Sequence, residues 1–257
     1  MSGLENDLWI RVPEELSPER TREGATHGER WFYLWRHSSR ARRHTTQKRA
    51  EDIESLIGPV AGKRLLDVGC AWGYFLLGAA RSGAKAFGVD YHEPFLKIAR
   101  RLADYNGVPV ELCFADAHAL PFPGGSFDVV VCSEVIEHVT DWEAVVAELA
   151  RVARPGGTVV ISTPNVHGLA QVVKMMLIKL RLLEHRGNES FLPAGRLQRA
   201  ALRCGLRPVT RRNCILTVPQ APDFLFPFNR LVERAAEAFP PTRSILTTCI
   251  LTLEKER

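Results

Sequence analysis

Leu65-Leu66-Asp67-Val68-Gly69-Cys70-Ala71-Trp72-Gly73-Tyr74-Phe75 decides the reading of this chain: an apolar strand runs into a glycine-bearing turn and out into a helix. Leu65, Leu66 and Val68 supply the strand character, while Gly69 and Gly73 permit a bend and a close backbone approach that a Cβ would obstruct. The turn predicts a ligand lying against its backbone; a tight turn with close helix packing is the alternative. The order of residues departs from the Gly-x-Gly-x-x-Gly dinucleotide fingerprint, which argues against a nicotinamide enzyme.

The pattern continues downstream. The helix after the turn stops at Gly83, and the strand Lys85-Ala86-Phe87-Gly88-Val89 ends in Asp90, about twenty residues beyond the turn, where a carboxylate suits two ribose hydroxyls. Capping the helix from Pro94 is the other use for Asp90. A helix over Glu93 to Tyr105 leads to Asn106-Gly107, and the strand Val110 to Phe114 runs into Ala115-Asp116-Ala117, with Asp116 placed to accept from an exocyclic amine. Val129-Val130-Val131-Cys132 reads as a parallel strand buried on both faces. A helix carrying Trp142, Val145, Val146, Leu149 and Val152 is stopped by Pro155-Gly156-Gly157 before a fifth strand, Thr158 to Ser162. Strands alternating with helices predict an α/β fold, an open doubly wound sheet with its ligand at the carboxyl ends.

With 257 residues, 46% hydrophobic, the chain can hold one sizeable α/β domain with an elaboration. A net charge of +5 permits an anionic substrate, RNA or a membrane surface without selecting one. The six dispersed cysteines include no C-x-x-C pair, which points away from a disulfide framework or a cysteine zinc site and towards the cytoplasm. Neither a secretory signal nor a bilayer-spanning run is found.

Residues 1–27 read as an extended, flexible or partly ordered leader and 28–257 as a single domain: a helical lid over 28–60, a core over 61–164, a substrate-side helical insertion over 165–205 and a hairpin region over 206–257. The lid begins with Trp31, Phe32, Leu34 and Trp35, followed by the cations Arg36, His37, Arg40, Arg42, Arg43, His44, Lys48 and Arg49; a second helix runs from Thr45 to Ile57. That cationic face is either a site for an anion or a solvated surface.

Taken together, the Leu-Asp-Val-Gly-Cys turn, Gly88-Val89-Asp90, Ala115-Asp116-Ala117, Leu120-Pro121-Phe122 with Ser126-Phe127-Asp128, and Arg154-Pro155-Gly156-Gly157 resemble the class I S-adenosylmethionine-dependent methyltransferases. The resemblance implies a Rossmann-like seven-stranded sheet whose late antiparallel hairpin is supplied by about Val209 to Val218 and Ile245 to Leu253. It implies S-adenosyl-L-methionine as cofactor, with Asp67, Gly69, Cys70, Gly73 and Ser133 around its methionine part, Asp90 and Tyr91 at the ribose and Asp116 with Ala117 at the adenine. Trp72 stands where the family often has glycine.

Ser133-Glu134-Val135-Ile136-Glu137-His138-Val139 is similar to a narrower branch containing the ubiquinone-biosynthesis O-methyltransferases and the small-RNA 2′-O-methyltransferases. That likeness implies that Glu134, Glu137 and His138 gather substrate hydroxyls on a divalent ion such as Mg2+, with His185 as a further ligand and Arg49 at the cofactor carboxylate. Positions i, i+3 and i+4 share one face of a helical turn, which would suit such a site. The alternatives are Glu137 complementing a helix N-terminus and His138 acting as a metal-free general base.

The leading expectation is methylation of a small-molecule hydroxyl. An RNA-modifying enzyme and a non-catalytic cofactor-binding module are the rivals, and DNA is not expected. The insertion's Leu169 to Leu183, apolar with interspersed Lys174, Lys179 and Arg181, reads either as a cap on the sheet or as a peripheral membrane contact.

Overall fold

Strand β1 (Arg64–Val68) is buried at four consecutive positions, the pattern of a strand covered on both faces. A computed structural model describes residues 10–13, 40–168, 172, 176, 192–215, 226–238 and 246–257. Helix α1 (Arg40–Ile57) precedes β1. Then come α2 (Tyr74–Arg81), β2 (Lys85–Asp90), α3 (Glu93–Asn106), β3 (Val110–Phe114) and β4 (Phe127–Ser133). A 3-10 turn (Ile136–His138), α4 (Trp142–Val152) and β5 (Ala153–Pro164) follow. After them stand α5 (Ala194–Arg203), β6 (Leu206–Cys214), α6 (Phe226–Ala238) and β7 (Thr248–Lys255).

All seven strands form one sheet in the order β3-β2-β1-β4-β5-β7-β6. The first five are parallel, and β7 pairs antiparallel with both β5 and β6. This is the doubly wound, seven-stranded sheet expected, with its direction reversing at the late strands. Those strands lie a few residues away from the predicted hairpin, and α6 is inserted between them.

Side-chain alternation along β4 assigns the two layers. Val129 and Val131 pack with Ile53 of α1 and Phe75 of α2, whereas Val130 and Cys132 pack with Trp142 and Leu149 of α4 and Leu197 of α5. Helix α3 joins the first layer through Ile98 and Leu102, against Leu76 and Leu77. Each fully buried aliphatic side chain of this kind contributes about 1.5–3 kcal/mol, so neither layer is dispensable.

Two expectations need correction. The helix predicted from Thr45 begins at Arg40, and near its start His44 meets Glu233 of α6. Strand β5 starts before the predicted Pro155-Gly156-Gly157 stop, and the pairing irregularity between Phe127 and Val129 absorbs that turn. The part of the leader that is described is docked: Ile10 is buried against α2 and α3, and Asn106 exchanges two hydrogen bonds with the Arg11 backbone, at 2.9 and 2.8 Å.

All six cysteines are free thiols. Among the described residues no helix is long and apolar enough to cross a membrane.

Candidate functional site

Parallel strands bring their carboxyl ends to one rim of the sheet, and the turn after β1 opens a cleft there. Gly69 makes that turn at φ +74°, with Val135 packed against it so closely that a Cβ would overlap the Val135 side chain. Gly73, at φ +85°, caps α2. The cleft, about 160 Å³, is lined by Asp67, Gly69, Cys70, Ala71, Trp72, Tyr74, Phe75 and Ser133 from the sheet side and by Thr46, Arg49, Ala50 and Ile53 of α1. A larger hollow of about 580 Å³, bordered by Arg11, Arg81 and Asn106, lies where α2 and α3 end, ahead of β3.

Asp90 ties the turn to the next strand. One carboxylate oxygen accepts from the Ala71 N–H at 2.8 Å and the other from the His92 N–H at 2.7 Å. Burial raises its pKa while those two hydrogen bonds oppose the rise. Asp67 is buried, and its carboxyl is pushed up to about 7, by burial first and then by the charge of Asp90. Burial also pushes the Cys70 and Cys132 thiols up, which keeps both neutral and unreactive near pH 7.

Beside Asp90 the rim becomes an open shelf. Tyr91, 72% exposed, stacks on Phe114, 57% exposed, with ring centroids 5.8 Å apart. Asp116 follows β3, its Oδ1 accepting from the His118 backbone N–H at 2.9 Å and lying 2.6 Å from the His118 ring nitrogen. The His118 contacts hold its carboxyl below the usual range. A narrow cleft, paired carboxylates and an exposed aromatic shelf fit an elongated ligand with a compact polar end, a ribose and a flat base. The donor set and the glycine cradle therefore suit the cofactor that the sequence implied, while Ala117 packs half-buried against the core.

The Glu134 to His138 segment departs from expectation. Glu134 lies outside the 3-10 turn, at φ +56°, a left-handed conformation that costs a non-glycine residue on the order of 1–3 kcal/mol. Its carboxylate is 3.5 Å from the Arg49 guanidinium and accepts from the Ser162 hydroxyl at 3.1 Å. Ser162 in turn is 2.9 Å from the Ser133 hydroxyl. Glu137 is buried, whereas the adjacent His138 is exposed, so the three side chains do not share one face. Among the described residues no group of three His, Cys, Asp or Glu side chains is placed to hold a metal ion. His185 lies outside the described residues. The residues seen here do not fit the implied divalent ion in this arrangement.

Sequence reading missed Thr46, Ala50, Ile53 and Phe75 in the cleft, Phe114 on the shelf and the His118 contact. Ala71, at φ +48°, also escaped notice, since nothing about an alanine signals a left-handed turn. Phe114 alone left a trace, as a large apolar residue at a strand's carboxyl end.

Residues 66–161 match the family described as "Methyltransferase domain". The chain is 40% identical over 154 residues to a ubiquinone biosynthesis O-methyltransferase of Thiobacillus denitrificans, covering 58% of this chain and 66% of the relative. It is 37% identical over 172 residues to the protein of that name from Bordetella pertussis, covering 62% and 68%. The chain thus spans about two thirds of the length of these relatives. Among solved structures, magnesium protoporphyrin IX methyltransferase from Synechocystis PCC 6803 with bound SAH shares the fold, with a TM-score of 0.63 at 16% identity, over 89% of this chain and 94% of that one.

Proposed function

The chain belongs to the class I S-adenosylmethionine-dependent methyltransferases, and from that premise we propose that it methylates a hydroxyl oxygen of a small organic acceptor. The Asp90 turn carries the proposal, and the names of the 37–40% identical relatives support oxygen as the acceptor atom. When bound, the cofactor supplies a sulfonium-activated methyl group. The chain's own residues then bind, orient and exclude water, the terms that dominate such a transfer.

Asp90 accepts the two ribose hydroxyls, Tyr91 and Phe114 cover the base, and Asp116 receives its amine. Arg49 meets the cofactor carboxylate, with Asp67, Gly69, Cys70 and Ser133 around the ammonium end. His138, exposed just beyond β4, takes the acceptor's proton on its imidazole. No step is assigned to a divalent ion. Its candidate ligand Glu134 already contacts Arg49 and Ser162. Replacing His138 with alanine is expected to lower kcat about a hundredfold while S-adenosylhomocysteine affinity, read by calorimetry, stays unchanged. An unaltered kcat would remove His138 from the reaction.

Asp67 sets a pH dependence. Its carboxyl titrates at about 4 when the chain is unfolded and at about 7 when folded. Its contribution to stability is therefore fully present below about pH 4 and is lost as the pH rises through about 7. A cationic ligand favours the ionised form, so S-adenosylmethionine should bind more tightly as the pH is raised from about 6 to about 8, by at most about tenfold per pH unit. Asp67→Asn should flatten that profile in a calorimetric titration series; a wild-type profile left intact by the substitution would assign it to another group.

A small acceptor is favoured over RNA because His44 and Lys48, basic residues of α1, are engaged within the fold, His44 with Glu233 and Lys48 with Asp52 and Glu237. Membrane contact through 169–183 is supported by Val172 and Met176, one helical turn apart and 51% and 55% exposed. Free thiols support a reducing compartment such as the cytoplasm.

A further inference from the structure

We propose that Glu233 is a positioning residue for cofactor capture, acting through a two-rung hydrogen-bonded seam that fixes α1 over the cleft. The inference rests on the reading that Arg49 meets the cofactor carboxylate.

Glu233 of α6 has no exposed side-chain surface, and its Oε2 lies 2.8 Å from His44 Nε2 and 2.6 Å from Arg230 Nη1, which it holds against the same His44 ring. One turn along, Lys48 Nζ contacts Asp52 of its own helix at 2.8 Å and Glu237 of α6 at 3.1 Å. Residues 44 and 48 on α1 therefore meet 233 and 237 on α6, an i, i+4 step on both helices. A slide or rotation of either helix breaks both rungs together. The Phe226 ring, its centroid 5.7 Å from that of His44, packs against the same imidazole in a T-shaped arrangement. Thr46, Arg49, Ala50 and Ile53 of the same α1 line the cleft.

Burying a carboxylate is a poor way to gain stability, since desolvation offsets much of the attraction; setting the register of packed elements is the better-attested use. Arg212 adds a brace from β6, with Ser55 at 2.7 Å and Asp52 at 3.3 Å. Loss of the upper rung leaves α1 attached but free to shift, and Arg49 shifts with it. The nucleoside end, held by Asp90 on the opposite side of the cleft, is untouched.

The test is calorimetry on the full chain with two ligands: S-adenosylhomocysteine, and methylthioadenosine, which has the same nucleoside but no amino-acid end. Arg49→Met and Glu233→Gln are each expected to weaken the first ligand about tenfold and to leave the second within about twofold. The double variant should bind no more weakly than Arg49→Met alone, since both act through one contact. If Arg49→Met weakens binding and Glu233→Gln does not, the proposal is wrong and the Arg49 reading stands. If Arg49→Met has no effect, both fall. Equal weakening of the two ligands by Glu233→Gln would show a general structural role and overturn the proposal. Should that variant fail to fold, Glu237→Gln, at the more exposed rung, carries the same comparison with an expected loss of about threefold for S-adenosylhomocysteine only, and no selective loss overturns the proposal.

Discussion

Asp90→Ala is expected to weaken S-adenosylhomocysteine binding by roughly a hundredfold to ten-thousandfold. Two hydrogen bonds from ribose hydroxyls to a carboxylate are worth about 1.5–3 kcal/mol each, and every 1.4 kcal/mol is about tenfold. A second loss adds to this, because the Ala71 and His92 N–H groups lose their acceptor and the left-handed Ala71 turn its tether. One effect runs the other way. Asp90 raises the Asp67 pKa, so its removal relieves like-charge repulsion and limits the damage to the fold. Binding should therefore fall far more than thermal stability does, with the isosteric Asp90→Asn intermediate. Heats of binding that match wild type in a well-folded Asp90→Ala protein would remove the ribose from this position.

Gly69→Ala should lower both stability and binding. A left-handed backbone costs an L-residue about 1–2 kcal/mol, and forcing a methyl into packed surroundings adds about 1–3 kcal/mol. The expected sum, about 2–5 kcal/mol, corresponds to a Tm lower by roughly 5–15 °C for a chain of this size. Gly62 provides the control: it has the same φ of +74°, and a methyl group placed there would meet nothing within 4 Å, so Gly62→Ala isolates the backbone cost. The difference between the two variants measures the collision with Val135. That collision would also displace the neighbour Glu134, so S-adenosylhomocysteine affinity should drop for Gly69→Ala alone. Equal melting points for the two variants would mean that Val135 yields freely.

The parallel half of this fold was readable because its signals are local. Runs such as Val129 to Cys132 are apolar on both faces, and the acidic ends Asp90 and Asp116 stand at fixed distances from them. The antiparallel half was harder. Leu206–Cys214 alternates exposed charges such as Arg207 and Arg211 with few apolar residues, since it is an edge strand, and its partner is supplied by distant sequence. The site divides in the same way. Asp67, Gly69 and Cys70 follow from the turn itself, whereas Thr46, Ile53 and Phe114 reach the rim only through tertiary packing. Spacing misled at Glu134, Glu137 and His138: the regular helical turn that would align them does not form, because Glu134 takes a left-handed backbone that its residue type gives no reason to expect.

Strand β7 lies between β5 and β6, yet it is the last of the seven strands to be synthesised. As the chain leaves the ribosome, the parallel strands can assemble while β5 still presents a bare row of peptide groups, and β6 has nothing to join. Such an edge invites pairing with another nascent chain until residues 248–255 arrive to seal it. Protection of the growing polypeptide by chaperones matters most in that interval.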